Sequence, residues 1–211
     1  RGARSRGGVA SERAATGLLK QPGGMEEFIN FPRFFLHKVN ELPFEEAALV
    51  EPTGVASSAV RRAQVTPADR VAVMGAGPLG LFVIQVAKAY GARQIIAVDP
   101  LPSRLAVAAQ LGADTLLNPN DGNLGRQVAE ATGGAMVDAV VEAVGRKEVW
   151  PLIAAILAPR ARVVMTGLSA GARCEVDFDF LVVNDVSVHG NLGSPNVWPE
   201  AISLHQRGLV H

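Results

Sequence analysis

Residues 71–99, VAVMGAGPLGLFVIQVAKAYGARQIIAVD, decide how this chain is read. Val71 to Met74 are apolar and largely β-branched, as a strand buried on both faces requires. Gly75, Gly77 and Gly80 then form the pattern G-x-G-x-x-G. The first glycine of such a turn permits a tight bend, the second lets backbone approach a pyrophosphate, and the third lets helix and strand pack closely. Pro78 suits the first helical turn, where its missing N–H costs nothing. With Leu79 it belongs to the turn whose free N–H groups and helix dipole form an anion site. Asp99 lies 19 residues after Gly80, at the end of the apolar run Ile95 to Val98. There it is placed to accept hydrogen bonds from an adenosine ribose diol. Its charge would repel a 2′-phosphate, which favours NAD over NADP. Arg104 is a candidate to cover the adenine side, or else a surface residue of the next helix. The plainer alternatives are a glycine turn without a ligand and a solvated Asp99 before Pro100. Strand, helix, second strand and terminal carboxylate all in register favour the nucleotide.

The 211 residues are 48% hydrophobic with a formal net charge of zero. That length suffices for one large domain, or one domain and part of another. Balanced charge leaves no electrostatic footprint for nucleic acid or an anionic membrane. The arginines near the start (Arg1, Arg4, Arg6 and Arg13) read as solvated. No apolar stretch approaches the roughly 20 residues of a membrane span, and the first ten residues carry no apolar signal core. A soluble cytoplasmic protein is expected. The single cysteine, Cys174, excludes an intramolecular disulfide and any cysteine-cluster metal site.

From residue 70 onward, apolar β-branched runs alternate with helical patterns, as in an α/β doubly wound parallel sheet. Ser103 to Leu111 reads as a helix closed by Gly112, and Thr115 to Leu117 as a short strand. A helix from Gly125 to Thr132 closed by Gly133-Gly134 follows, and then the strand Val137 to Val141. Val149 to Leu157 reads as an apolar helix, Ala161 to Thr166 and Val186 to Gly190 as strands five and six, and Trp198 to Gln206 as the last helix. This order matches a complete dinucleotide-binding domain over 67–211, with its ligand crevice at the carboxyl ends of the strands. Residues 1–66 do not fit it. Met25 to Leu36 looks extended and aromatic. Pro43 to Arg62 reads as helical, interrupted at Pro52-Thr53-Gly54. The region is too short to stand alone and looks like the end of another domain.

Taken together, GGMEEFINFP, LPFEEAALVEPTGVASSAVRRA, VAVMGAGPLGLFVIQVAKAYGA, DAVVEAVG and GNLGSPNVWPEAI resemble the medium-chain dehydrogenase/reductases. The zinc-type polyol branch, with the sorbitol and threonine dehydrogenases, is the nearest in pattern. The resemblance runs from about Gly23 to the C-terminus. It implies that residues 1–66 are the partial end of a GroES-like, β-rich catalytic domain and that a Rossmann domain carrying NAD follows. It also implies zinc-assisted oxidation of an alcohol or polyol, with hydride passing to the nicotinamide. By resemblance Glu51, in LVEPTGVA, is the third ligand of the catalytic metal; read bare, it is an ordinary helix glutamate. Backbone groups of Val144 and Gly145, Gly167 and Leu168, and Asn191 and Leu192 would face the nicotinamide and its ribose. Small residues chosen for tight turns remain the alternative there. The edge strand at Val186 to Leu192 would pair across a dimer axis, giving a homodimer or homotetramer.

The resemblance also marks gaps. One carboxylate cannot hold a catalytic zinc, which wants three protein ligands. His37, His189, His205 and His211 are scattered and read as structural or solvated, and Cys174 as inert. Counting back from Gly23-Gly24, two cysteine positions of the family's structural zinc lobe fall near Ala3 and Ser11, neither a ligand, so no structural metal is expected. The chain starts at Arg1 and ends on GLVH, so a fragment is expected, one that binds NAD without assembling the zinc site. Two competing readings remain: a zinc-independent quinone-type reductase preferring NADPH, and a non-catalytic NAD-binding module.

Overall fold

The computed structural model describes residues 15–16, 20–21, 24–25, 27–39 and 42–211. The early arginines and the Ala3 and Ser11 positions lie outside the described residues. Besides a short parallel pair, Ala15–Thr16 with Lys20–Gln21, the strands of the main sheet are β1 (Arg70–Met74), β2 (Gln94–Val98), β3 (Thr115–Leu117), β4 (Val137–Glu142), β5 (Leu157–Met165) and β6 (Ser187–Gly190). They form one all-parallel sheet in the order β3-β2-β1-β4-β5-β6. The chain starts at the centre, winds out to one edge, returns to the other side of β1 and winds out again. A crevice therefore opens between the carboxyl ends of β1 and β4.

Strict alternation along the central strands makes two cores. Val71, Val73, Ile95, Ala97, Ala139 and Val141 face one side of the sheet, and Ala72, Met74, Ile96, Val98 and Val140 face the other. The first side is covered by α1 (Phe44–Arg62) and α2 (Pro78–Ala89). The second is covered by α4 (Leu124–Thr132) and α5 (Val149–Ala154) through Val128, Trp150 and Ile153. The remaining helices are α3 (Pro102–Gln110), α6 (Phe178–Val183) and α7 (Trp198–Gln206). Side chains such as Ile84, Ile95, Ile96 and Ile153 are fully buried. Each contributes about 1.5–3 kcal/mol relative to exposure.

Four local expectations change. The helix before the sheet is not interrupted: α1 runs through Pro52. An interior proline costs about 3 kcal/mol, and burial of Val50, Thr53, Gly54, Ala56, Ala59 and Val60 offsets it. Gly54 is required there, since a Cβ would sit 2.8 Å from the Ser194 Cβ. Second, α5 stops at Ala154 and β5 begins already at Leu157, which pairs with Val137 ahead of a register irregularity. Third, α6 has no counterpart in the sequence reading; Asp177 caps it by accepting the Phe180 N–H at 3.0 Å. Fourth, the stretch expected to be extended contains a 3-10 turn at Arg33–Phe35. Just beyond it, His37 stacks on Trp198, with ring centroids 5.5 Å apart, and Val39 and Leu42 pack near Val50.

Candidate functional site

At one end of the crevice, β1 runs into Gly75, whose φ of +92° only glycine adopts freely, and the Gly75 N–H donates to the Val98 carbonyl at 2.7 Å. Asp99, at the tip of β2, is 2% exposed. Its Oδ2 accepts the Ala76 N–H at 2.9 Å and its Oδ1 the Leu101 N–H at 2.9 Å. The half-exposed Arg104 guanidinium lies 3.5 Å from Oδ2. An ionised carboxylate offers about four lone-pair positions, so Asp99 keeps some acceptor capacity while being fixed by the glycine turn.

The three glycines differ in what they need. A Cβ on Gly80 would lie 1.8 Å from the Gly75 carbonyl oxygen, so helix and turn pack only without a side chain. Gly77 caps α2 with φ −74° and ψ −177°, extended backbone open to any residue. A Cβ there would meet nothing within 4 Å. No protein contact therefore requires that glycine, and the open helix N-terminus beside it has the character of an anion site. These residues therefore fit a dinucleotide.

The other end is built from the loops after β4, β5 and β6. Gly145 has φ +72°, and a Cβ on it would lie 2.6 Å from the Leu168 carbonyl oxygen. One on Gly167 would lie 2.1 Å from the Gly145 nitrogen. The two loops thus touch backbone to backbone, with Val144 and Leu168 exposed beside the contact. Beneath it lies Glu142, 0% exposed. Its Oε1 accepts the Val144 and Gly145 N–H groups at 2.7 and 2.6 Å, and its Oε2 the Gly167 N–H at 3.2 Å. The loop after β6 is tied to α1. Ser58 Oγ donates to Asn191 Oδ1 at 2.8 Å, and Asn191 Nδ2 donates to the Val55 carbonyl at 3.3 Å. The Asn191 side chain is therefore spent on α1 and its N–H on the Met165 carbonyl at 2.8 Å, while Leu192 beside it is exposed.

Glu51 is exposed on α1, about one turn before Val55. Among the described residues no group of three His, Cys, Asp or Glu is placed to hold a metal ion, so a zinc site does not assemble from them. His205 is buried against Thr53 at 2.9 Å and His37 lies on Trp198, both packing roles.

Residues 78–207 match the family model described as zinc-binding dehydrogenase. The chain belongs to the zinc-binding dehydrogenase family. Erythritol/L-threitol dehydrogenase of Mycolicibacterium smegmatis is 32% identical over 90% of this chain and 53% of its own length. (R,R)-butanediol dehydrogenase of Bacillus subtilis is 34% identical over 91% of this chain and 55% of its own. Among solved structures, an alcohol dehydrogenase of Escherichia coli CFT073 in complex with NADH superposes with TM-score 0.77 at 28% identity, covering 82% of this chain and 50% of that one. The chain spans about half the length of the curated relatives it matches.

Within this family member, the glycine turn, Asp99 and Arg104 come together at one end, and Val144, Gly145, Gly167, Leu168, Asn191 and Leu192 lie at strand ends toward the other. Glu51 belongs to no group of three or more potential metal ligands among the described residues. Sequence reasoning passed over Glu142. Its only signal was an acidic residue closing the apolar strand VDAVVE, at a depth where charge is rare without partners.

Proposed function

We propose that residues 67–211 form the dinucleotide-binding domain of an NAD-dependent, zinc-type dehydrogenase acting on a secondary alcohol or polyol. Residues 1–66 would then be the end of its catalytic domain. The observation that carries the reading is Gly77, a glycine at the open N-terminus of α2 that no protein contact demands. In this reading the α2 N-terminus takes the pyrophosphate and Asp99 the adenosine ribose, and its charge selects NAD. Backbone of Val144, Gly145, Gly167, Leu168, Asn191 and Leu192 faces the nicotinamide end. Zinc, when bound, polarises the alcohol; Glu51 is proposed as one ligand, the others coming from sequence that the relatives have and this chain does not span. A polyol or diol substrate is supported by the named activities of the M. smegmatis and B. subtilis relatives.

The test is a fluorescence titration of the 211-residue chain with NADH and NADPH, followed by alcohol oxidation assays. NADH is expected to bind at least about tenfold more tightly than NADPH, with no turnover. A chain that ignores NADH, or one that oxidises alcohols robustly when zinc is added, refutes the respective half of the proposal.

We further propose assembly through β6 as a homodimer or homotetramer in the cytoplasm. The strand is an exposed sheet edge, and Phe178, Val182 and Val183 of α6 leave apolar surface nearby. Among the described residues no helix is long and apolar enough to cross a membrane. A concentration-independent monomer in sedimentation would count against the pairing.

A further inference from the structure

Glu142 is the most deeply buried carboxylate among the described residues, and no cation there pairs with it. A buried charge is tolerated only when hydrogen bonds satisfy it. All three donors to it come from loops at the crevice: Val144 and Gly145 after β4, and Gly167 after β5. Two consecutive backbone N–H groups converging on one oxygen form the concavity that ordinarily captures an external anion. Here the chain fills it with its own side chain. The Glu142 carbonyl adds the Thr166 N–H at 2.9 Å and shares the Gly167 N–H, 3.1 Å away, with Oε2, so a single residue bonds both loops from main chain and side chain together.

We propose that Glu142, as the carboxylate, is a positioning residue that sets the nicotinamide half of the crevice. It fixes the backbone contact of Gly145 on Gly167 and Leu168, the surface against which a nicotinamide ring would lie. The inference rests on the dinucleotide reading above. A carboxamide in its place would have to point an NH2 at one of the N–H donors, and one loop would leave its register. The adenosine half, anchored by Asp99 and the glycine turn, shares none of these bonds.

Glu142→Gln in the full chain, titrated with NADH and with ADP-ribose, which lacks the nicotinamide, separates this role from a merely structural one. The NADH dissociation constant is expected to rise about tenfold while that of ADP-ribose stays within about twofold. Equal weakening of both ligands, or of neither, overturns the proposal. A wild-type chain that binds neither ligand overturns the dinucleotide reading and this inference with it. If the variant does not fold, amide exchange in the ligand-free wild type decides. The Val144, Gly145 and Gly167 amides should be protected as strongly as those of β4, and fast exchange at these three refutes the clamp.

Discussion

Alanine at Gly77 and alanine at Gly80 should have opposite effects, although the two glycines stand three residues apart in one motif. At Gly80 the new methyl would sit 1.8 Å from the Gly75 carbonyl oxygen and 2.9 Å from its carbon. Carbon–oxygen contacts belong near about 3.3 Å, so α2 or the turn must move by more than an ångström. Both are held: the Gly75 N–H bonds Val98, and the α2 face carries the buried Val83, Ile84 and Val86. Overpacking of this severity costs at least about 3 kcal/mol, a fall in Tm of about 6–12 °C for a domain of this size. At Gly77 the backbone is already in an extended conformation and the methyl meets nothing. Lowering the entropy of the unfolded chain then leaves stability unchanged or raises it by about 0.4–1 kcal/mol. The methyl would instead occupy the space where a pyrophosphate meets the α2 N-terminus, and NADH affinity should fall about tenfold or more. Thermal unfolding and NADH fluorescence titration on both variants provide the assay. A folded Gly77→Ala protein that binds NADH like the wild type would refute the placement of the pyrophosphate. A Gly80→Ala protein of unchanged stability would refute the packing argument.

Asp99→Ser should lower NADH affinity about tenfold and raise the NADPH-to-NADH affinity ratio, because Arg104, 3.5 Å from Asp99, would be left to meet a 2′-phosphate; an unchanged ratio in parallel titrations contradicts this. Arg162 donates to Asp69 at 2.6 Å and to the Asp138 carbonyl at 3.2 Å. Burial alone would raise the Asp69 carboxyl, but hydrogen bonds from Arg162 and Thr66 outweigh it and hold it below its ordinary 3.8. Arg162→Met should therefore cost about 2 kcal/mol in urea unfolding. Burial pushes the His205 imidazole below its ordinary 6.5, against the pull of the Glu46 carboxylate and with some help from His211. The unfolded chain then takes up a proton that the folded chain refuses, so stability should fall as the pH drops through about 6.5. Tm measured from about pH 7.5 to about pH 5.5 should show the fall, and His205→Gln should flatten it.

What the sequence revealed was local or periodic. Two-residue alternation assigns Val71 and Val73 to one face and Ala72 and Met74 to the other, and the glycine spacing marks the turn between β1 and α2. What it concealed depends on distant partners. Pro52 looks like a helix end unless the packing of α1 on α2 and α7 is known. The apolar run at 149–157 offers no local sign that the chain leaves the helix after Ala154, because that change is made by pairing of Leu157 with Val137. The Asn191 side chain is engaged by Ser58, 133 residues earlier, a tie that no local pattern signals. Glu142 bonds Gly167, 25 residues later, and a single acidic letter cannot announce that.

The same long-range ties bear on how Glu51 is held. Asn191 joins the loop after β6 to Val55 and Ser58, and Gly54 lets Ser194 of that loop lie directly on α1. Glu51 precedes Val55 by four residues, about 6 Å along a continuous helix. Had the helix broken at Pro52-Thr53-Gly54, Glu51 would sit on a separate segment, free to move relative to the crevice. Because α1 runs unbroken, its reach from the loop after β6 is set by helix geometry and by the Asn191 bonds. A metal ligand carried at Glu51 would thus keep a fixed distance from the end of the crevice where a hydride would be received. The apparent flaw at Pro52 lies within the helix that carries both Glu51 and the Asn191 contacts.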